Sequence, residues 1–261
     1  MPSNRILMCS DPRIFESIPK ETTLWRYMTL WRFISLLDKR ALFFARADNF
    51  TDSLEGTVSP KNSAAYIDEL STSDICAKRQ TSLIESYHNA FRKFRQHTYV
   101  SCWNENVGES AKMWGLYTGA EGVAVRTTFG RLHKALQESG RQIYWGRVVY
   151  VDQEEQPILG TTPVLIGEAH VVGTIAPYYH KSCDFSYEME VRGVFRDAFI
   201  APDDPSEAEY GIPINASLDE LIEAVYVAPR TLAWQLEVAQ GLLDKFGIKL
   251  KAHPSSFDDP E

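Results

Sequence analysis

The segment Tyr187-Glu188-Met189-Glu190-Val191-Arg192 sets two carboxylates two residues apart, at the entrance to the apolar run Val191 to Phe195. In a strand, residues i and i+2 face the same side, so Glu188 and Glu190 are expected side by side, with Arg192 next on that face. Like charges so close are unfavourable unless a cation, a metal or a ligand compensates them. A partly buried glutamate beside another is also a way to tune acid–base behaviour. The chemistry open to such a pair is proton transfer, or stabilisation of a positive charge that develops during reaction. The bland alternative is a surface strand with solvated glutamates.

Other residues could join that chemistry. Arg26 lies mid-strand between Trp25 and Tyr27, and its guanidinium fork can hold a phosphate or carboxylate bidentately. An exposed edge arginine is the alternative. Ser101, between Val100 and Cys102, can orient a glutamate or a ribose hydroxyl, or be a core hydroxyl satisfied by backbone. A Ser-His-Asp triad is a poor fit, because Gly-x-Ser-x-Gly is absent. Trp114 and Tyr117 share a helical face at i, i+3, where aromatics are core as readily as a cofactor platform. Asp52 and Glu55 follow an apolar strand and could cap a helix or ligate a metal, although further ligands cannot be paired with them. The basic cluster Arg92, Lys93 and Arg95, with His88 nearby, reads as a solvated face or a phosphate-contacting one.

These residues need elements to position them. Residues 1–22 read as an irregular arm. Strands are expected at 23–28, 41–45, 99–103, 122–127, 143–151 with a break at Gly146, 188–200, 225–228 and 248–251. Helices are expected around Leu30 to Arg40, over 74–96, after Ser110, around Leu132 to Gly140, after Ser217 as a capping box, and over 232–246 ending at Gly247. Residues 59–73 read as polar and exposed, and 152–180 as less regular with a weak helical option at 163–176. An acidic loop is expected at 203–209 and a flexible tail over 253–261. The strands do not alternate with helices in a regular βαβ rhythm. The expected fold class is therefore α+β: one domain over 23–252 with helices against a mixed, mostly antiparallel sheet.

Bulk properties narrow the function classes. The 261 residues are 44% hydrophobic and 24% charged, with a net charge of −8. This is ordinary globular composition, and the acidity argues against a general nucleic-acid coat. Cys9, Cys76, Cys102 and Cys183 show no zinc-ligand spacing, so no metal is expected. The first residues lack the basic-then-apolar pattern of a secretory signal, and no apolar run reaches the roughly 20 residues a membrane span needs. Free thiols, a cytoplasmic location and no membrane association are the corresponding expectations.

Taken in order, Leu24-Trp25-Arg26-Tyr27, Asn49-Phe50-Thr51-Asp52-Ser53-Leu54-Glu55, Val100-Ser101-Cys102-Trp103, Met113-Trp114-Gly115-Leu116-Tyr117 and Tyr187 to Arg192 resemble the DUF2971 family of uncharacterised bacterial and phage-associated proteins. The resemblance spans about residues 24–228. Thr51 and Ser53 stand where that family carries Asn and Pro. More distantly, an early-strand arginine, a middle-strand serine and a later Glu-x-Glu are similar to the Arg-Ser-Glu pattern of ADP-ribosyltransferases, although Cys102 and Trp103 replace the usual Thr-Ser after the serine. That likeness implies an ADP-ribosyltransferase-like fold with NAD as substrate. It assigns Arg26, with Tyr27 beside it, to NAD binding, Trp114 or Tyr117 to packing on nicotinamide, and Ser101 to bracing the glutamate. Glu190 would stabilise the oxocarbenium-like centre and Glu188 would orient or activate the acceptor, a protein or nucleic acid. It further implies a toxin or phage-defence effector with an inhibitory partner protein. The alternatives are a metal-dependent nuclease using Asp52 and Glu190-Val191-Arg192, in which arginine would serve poorly as a base, and a non-catalytic binding module.

Overall fold

A computed structural model describes residues 16–52, 55–152, 158, 164–166, 169–171, 175–197 and 210–258. The aromatic, β-branched segment after Thr22 forms β1 (Thr23–Thr29). The chain then turns into α1 (Leu30–Lys39), which buries Phe33, Leu36 and Leu37 and ends at Arg40 in the left-handed conformation. β2 (Ala41–Arg46) follows. The segment 59–73, expected to be polar and exposed, forms α2 (Pro60–Ser71), which buries Asn62, Tyr66 and Leu70: the Ser59 side chain caps it and Pro60 occupies its first turn. α2 packs Tyr66 and Leu70 against Tyr87 and Phe91 of α3 (Ala77–Gln96) in a separate small cluster. Only two large apolar residues face that cluster from α2, too few to show as a periodicity in the sequence.

β3 (Thr98–Glu105) leads to α4 (Ala111–Tyr117), capped by Ser110 as expected. β4 (Gly122–Thr128) and α5 (Phe129–Ala135) come next. The strand expected across 143–151 divides into β5 (Tyr144–Arg147) and β6 (Val149–Val151), broken after Arg147 and not at Gly146, and the two parts join different sheets. Within 163–176 the described residues include the antiparallel strands β7 (Val164–Ile166) and β8 (Ala169–Val171), in place of the weak helical option. β9 (His180–Ser182) pairs with β6 in parallel. β10 (Glu190–Arg196) and β11 (Gly211–Asn215) precede α6 (Leu218–Leu221), whose Ser217 makes no side-chain capping bond. β12 (Ala224–Val227), α7 (Ala233–Lys245) and β13 (Ala252–His253) complete the chain. The last strand thus falls beyond the expected 248–251. The tail is tied down through 256, because Ser255 Oγ and the Ser256 N–H both donate to Glu109, at 2.7 and 2.8 Å. Residues 1–15 of the arm, the 203–209 loop and residues 259–261 lie outside the described residues.

The main sheet is open and mostly antiparallel, in the order β11-β2-β3-β1-β4-β12-β13, with β10 on the other edge of β3 and β5 beyond it. β12 and β13 are its parallel pair. One face carries Leu24, Met28, Trp103, Val125, Val191 and Phe195 against Phe33 and Leu37 of α1, Leu132 of α5 and Leu243 of α7. The other face is covered in two patches. Val100 and Val194 pack under Tyr178 and Tyr179, while Trp25, Tyr27 and Ala124 pack under Met113 and Trp114 of α4. The fold is thus mixed α and β, with helices flanking the sheet. No helix among the described residues is long and apolar enough to cross a membrane.

One feature of register creates the site. β10 runs along the whole of β3, from Glu190 opposite Asn104 to Arg196 opposite Thr98. The other edge of β3 is shared. Tyr99 and Val100 pair with β2, whereas Asn104 and Glu105 pair with β1. β1 and β2 therefore part company alongside Ser101 to Trp103, and the sheet forks there.

Candidate functional site

The two glutamates meet, but not as neighbours on one strand. Cys183–Glu188 is a 3-10 turn, Met189 takes the left-handed conformation (φ 42°, ψ 57°), and β10 begins only at Glu190. The expected strand start at Glu188 is thus corrected by two residues. The left-handed residue breaks the strand alternation, and the Glu188 and Glu190 side chains both reach Lys181. Glu190 and Arg192 do share a strand face, as their spacing requires.

Around them lies a buried ion cluster. Arg192 donates Nε and Nη2 to the two oxygens of Glu190 at 2.7 and 2.9 Å, and Nη1 to the Tyr178 carbonyl at 2.7 Å. Its Nη1 also lies 2.9 Å from Glu55, an ion pair without hydrogen-bond geometry. Lys181 places its ammonium among three carboxylates: Glu188 at 2.5 Å, Glu55 at 3.1 Å and Glu190 at 3.2 Å. Tyr117 donates its hydroxyl to Glu188 at 2.8 Å, and Tyr150 accepts from the Glu190 N–H at 2.9 Å. All five charged side chains are less than a tenth exposed.

The charge states follow from these contacts. Burial works against ionisation of Glu190, but the Arg192 guanidinium outweighs it and holds the carboxyl well below its ordinary value. Burial, then hydrogen bonding with Glu190 and its negative charge, push Glu188 up to about 7. Burial disfavours the charged Lys181, yet the carboxylates of Glu190 and Glu55 override it and raise the ammonium above its usual range. With Glu188 protonated, two cations balance the carboxylates of Glu55 and Glu190. The cluster acquires a net negative charge when Glu188 ionises, near neutral pH. Cys102, on the same strand face, has its thiol pushed well up by burial and by Glu190, so it stays protonated.

The cluster forms one end of a cavity of about 470 Å³. The other end is aromatic and basic. Trp25, Tyr27, Phe43 and Trp103 line it, with Arg26 and Arg32, while Phe50 packs on Arg192 of the ion cluster. Arg26 reaches across the fork of the sheet, donating Nη1 to Ser101 Oγ and Nη2 to the Phe43 carbonyl, both at 2.8 Å, and it lies over the Trp103 ring. Desolvation, with Arg32 close by, draws its pKa down to about 10, so it remains a cation at neutral pH.

The sequence candidates therefore divide. Arg26, Tyr27, Tyr117, Glu188 and Glu190 all line the one cavity. Ser101 does not brace Glu190. It stands opposite Gly193, three residues along β10, on the opposite sheet face, where Arg26 and Trp103 donate to its hydroxyl at 2.8 and 3.1 Å. Trp114 is not a platform either. It is buried behind Tyr27, edge-on at 5.1 Å, with its Nε1 donating to Glu109. Lys181, Arg32 and Asn104 went unremarked in the sequence. The signal for Lys181 was a lone lysine after Tyr178, Tyr179 and His180, an aromatic run that a solvated lysine would not ordinarily join.

Comparison of the chain with protein-family models, with curated proteins and with solved structures finds no match. The resemblances drawn above therefore stand on the chain's own residues.

Proposed function

We propose that the protein cleaves the N-glycosidic bond of NAD and transfers ADP-ribose to an acceptor, as the resemblance to ADP-ribosyltransferases suggests. One observation carries the reading: a fixed arginine and a glutamate pair bridged by Lys181 open into the same aromatic cavity from two sides of β3. Arg26 keeps further N–H donors beyond those given to Ser101 and Phe43, and Arg32 stands with it, so this end suits a diphosphate. The aromatic walls suit a planar ring. At the far end the bond from ribose C1′ to nicotinamide breaks, its electron pair leaves with nicotinamide, and positive charge gathers on the ribose. The acidic cluster stabilises that charge. The acceptor's nucleophilic atom bonds to C1′, and its proton passes to Glu188, a base with a pKa near the working pH.

This division of labour differs from the one the sequence suggests. Both oxygens of Glu190 are taken by Arg192 and Lys181, so Glu190 anchors the cluster. Glu188 is also held, by Lys181 and Tyr117, but its value near 7 makes it the carboxyl that exchanges a proton near neutral pH. The nuclease reading fares less well, because the Lys181 ammonium already occupies the space between Glu55, Glu188 and Glu190.

The test is nicotinamide release from NAD, with and without cell lysate as acceptor. Glu188→Gln should lower the rate by about 10²- to 10⁴-fold, the usual worth of a general base. Equal rates in both proteins would remove Glu188 from the chemistry, and no release from either would leave the binding-module reading.

A further inference from the structure

Asn104 lies in the cavity floor between its two ends. On the β3 face that carries Glu190, its strand neighbours are Trp25 of β1 and Glu190 of β10. It is 2% exposed. Its Nδ2 donates to the Glu188 backbone carbonyl at 2.7 Å. A carbonyl only accepts, so this bond settles which end of the amide is which. Oδ1 is thereby the other end, and it is buried without a hydrogen-bond donor among the described residues. A buried acceptor with no partner is uncommon in a folded protein, and in the wall of a cavity the partner it fits is a ligand N–H or O–H.

We infer that Asn104 is a specificity residue that accepts a hydrogen bond from the primary carboxamide of the ligand's leaving group, through Oδ1. The inference rests on the proposed NAD reading and deepens it. The neighbours decide which donor on the ligand is meant. Trp25 stands beside Asn104 on the aromatic side and Glu190 on the acidic side, so a planar ring against the aromatic wall presents its substituent to Oδ1 while its glycosidic bond reaches the carboxylates. A carboxamide offers an N–H there. A carboxylate offers none: it would set acceptor against acceptor at Oδ1 and like charge against the ionised Glu188. The Nδ2 bond adds a second consequence. Asn104 holds the backbone of Glu188, so recognition of the leaving group and placement of the base share one side chain.

A neutral isostere isolates the hydrogen bond from the surrounding charge. In the acetylpyridine analogue of NAD a methyl ketone replaces the carboxamide, with nearly the same shape and no N–H. Wild-type protein should favour NAD over this analogue by about 10- to 100-fold in binding, and likewise in kcat/KM, as sites with an otherwise unpaired polar group do. Asn104→Leu should bring the ratio close to one. Asn104→Asp keeps an oxygen acceptor while losing the donor to Glu188, so it should retain the preference even if turnover falls. The wild-type comparison needs no variant to fold. A wild-type ratio near one, or a ratio unchanged in Asn104→Leu, would overturn the assignment while the NAD reading stood. Absence of NAD binding to wild-type protein would overturn both.

Discussion

Glu188 is the residue on which stability and activity should pull in opposite directions. Its ordinary value of 4.5 is raised to about 7, first by burial and then by Glu190. Because the folded pKa lies above the unfolded one, folding favours the protonated form. That contribution is complete below about 4.5 and is lost as pH rises through 7. Glu190 behaves oppositely: held low by Arg192, it contributes above the ordinary carboxyl range and loses that contribution only in strong acid. Urea unfolding at pH 5 and pH 8 should therefore show wild type losing about 1–3 kcal/mol more over that interval than Glu188→Gln. Nicotinamide release should climb over the same interval in wild type, with an apparent pKa near 7, and stay flat in the variant. A pH profile without that step would assign the titration to another group. Arg192 carries the opposite expectation. Removing it as Arg192→Ala leaves Lys181 as the one cation shared by the buried Glu55, Glu188 and Glu190, which costs about 3–5 kcal/mol and should be read from a melt before any activity is interpreted.

At the scale of elements, the turn between the 3-10 segment and β10 does what a continuous strand was expected to do. Met189 is half exposed and contributes little packing, but its φ of 42° breaks the strand alternation between Glu188 and Glu190, whose side chains both reach Lys181. A β-branched residue is poorly suited to that conformation. Met189→Val should cost about 1–3 kcal/mol and should lower turnover by more than the stability loss explains, because it separates the pair. Met189→Gly should restore turnover, and comparable rates in both variants would detach the kink from the chemistry. The kink also shows where the sequence stopped being legible. β1, β2, β3, β4 and β12 were readable because apolar and β-branched residues cluster in them and turn residues bound them. Tyr187 and Glu188 looked like the start of the same kind of run, and a single left-handed residue leaves no mark in composition. Lys181 escaped for a different reason: its partners Glu55 and Glu188 come from a loop and a turn, so periodicity could not bring the three together. Ser101 was placed on a strand correctly and given the wrong neighbour, since which strand lies alongside, and in what register, is decided by tertiary pairing.

For the molecule as a whole, the fork between β1 and β2 opens a cavity in the sheet. A sheet paired evenly along β3 would have closed over Ser101 to Trp103. Instead the opening admits Arg26, whose bonds to Ser101 and to the Phe43 carbonyl tie the three strands where backbone pairing lapses. The cavity therefore has an aromatic, basic half hung on the fork and an acidic half hung on β9 and β10, with β3 between them. Substitutions in the two halves should separate kinetically. Ser101→Ala removes the acceptor that both Arg26 and Trp103 use, and Ser101 is fully buried on the face away from Glu190. It should lower stability by about 1–3 kcal/mol and raise KM for NAD by about tenfold as Arg26 loses its orientation, while kcat stays within about twofold of wild type, the pattern of lost uniform binding. Had the serine braced the catalytic glutamate, the same substitution would lower kcat and leave KM little changed. Steady-state kinetics of this one variant thus decides between a serine that serves the arginine across the fork and one that serves the carboxylates.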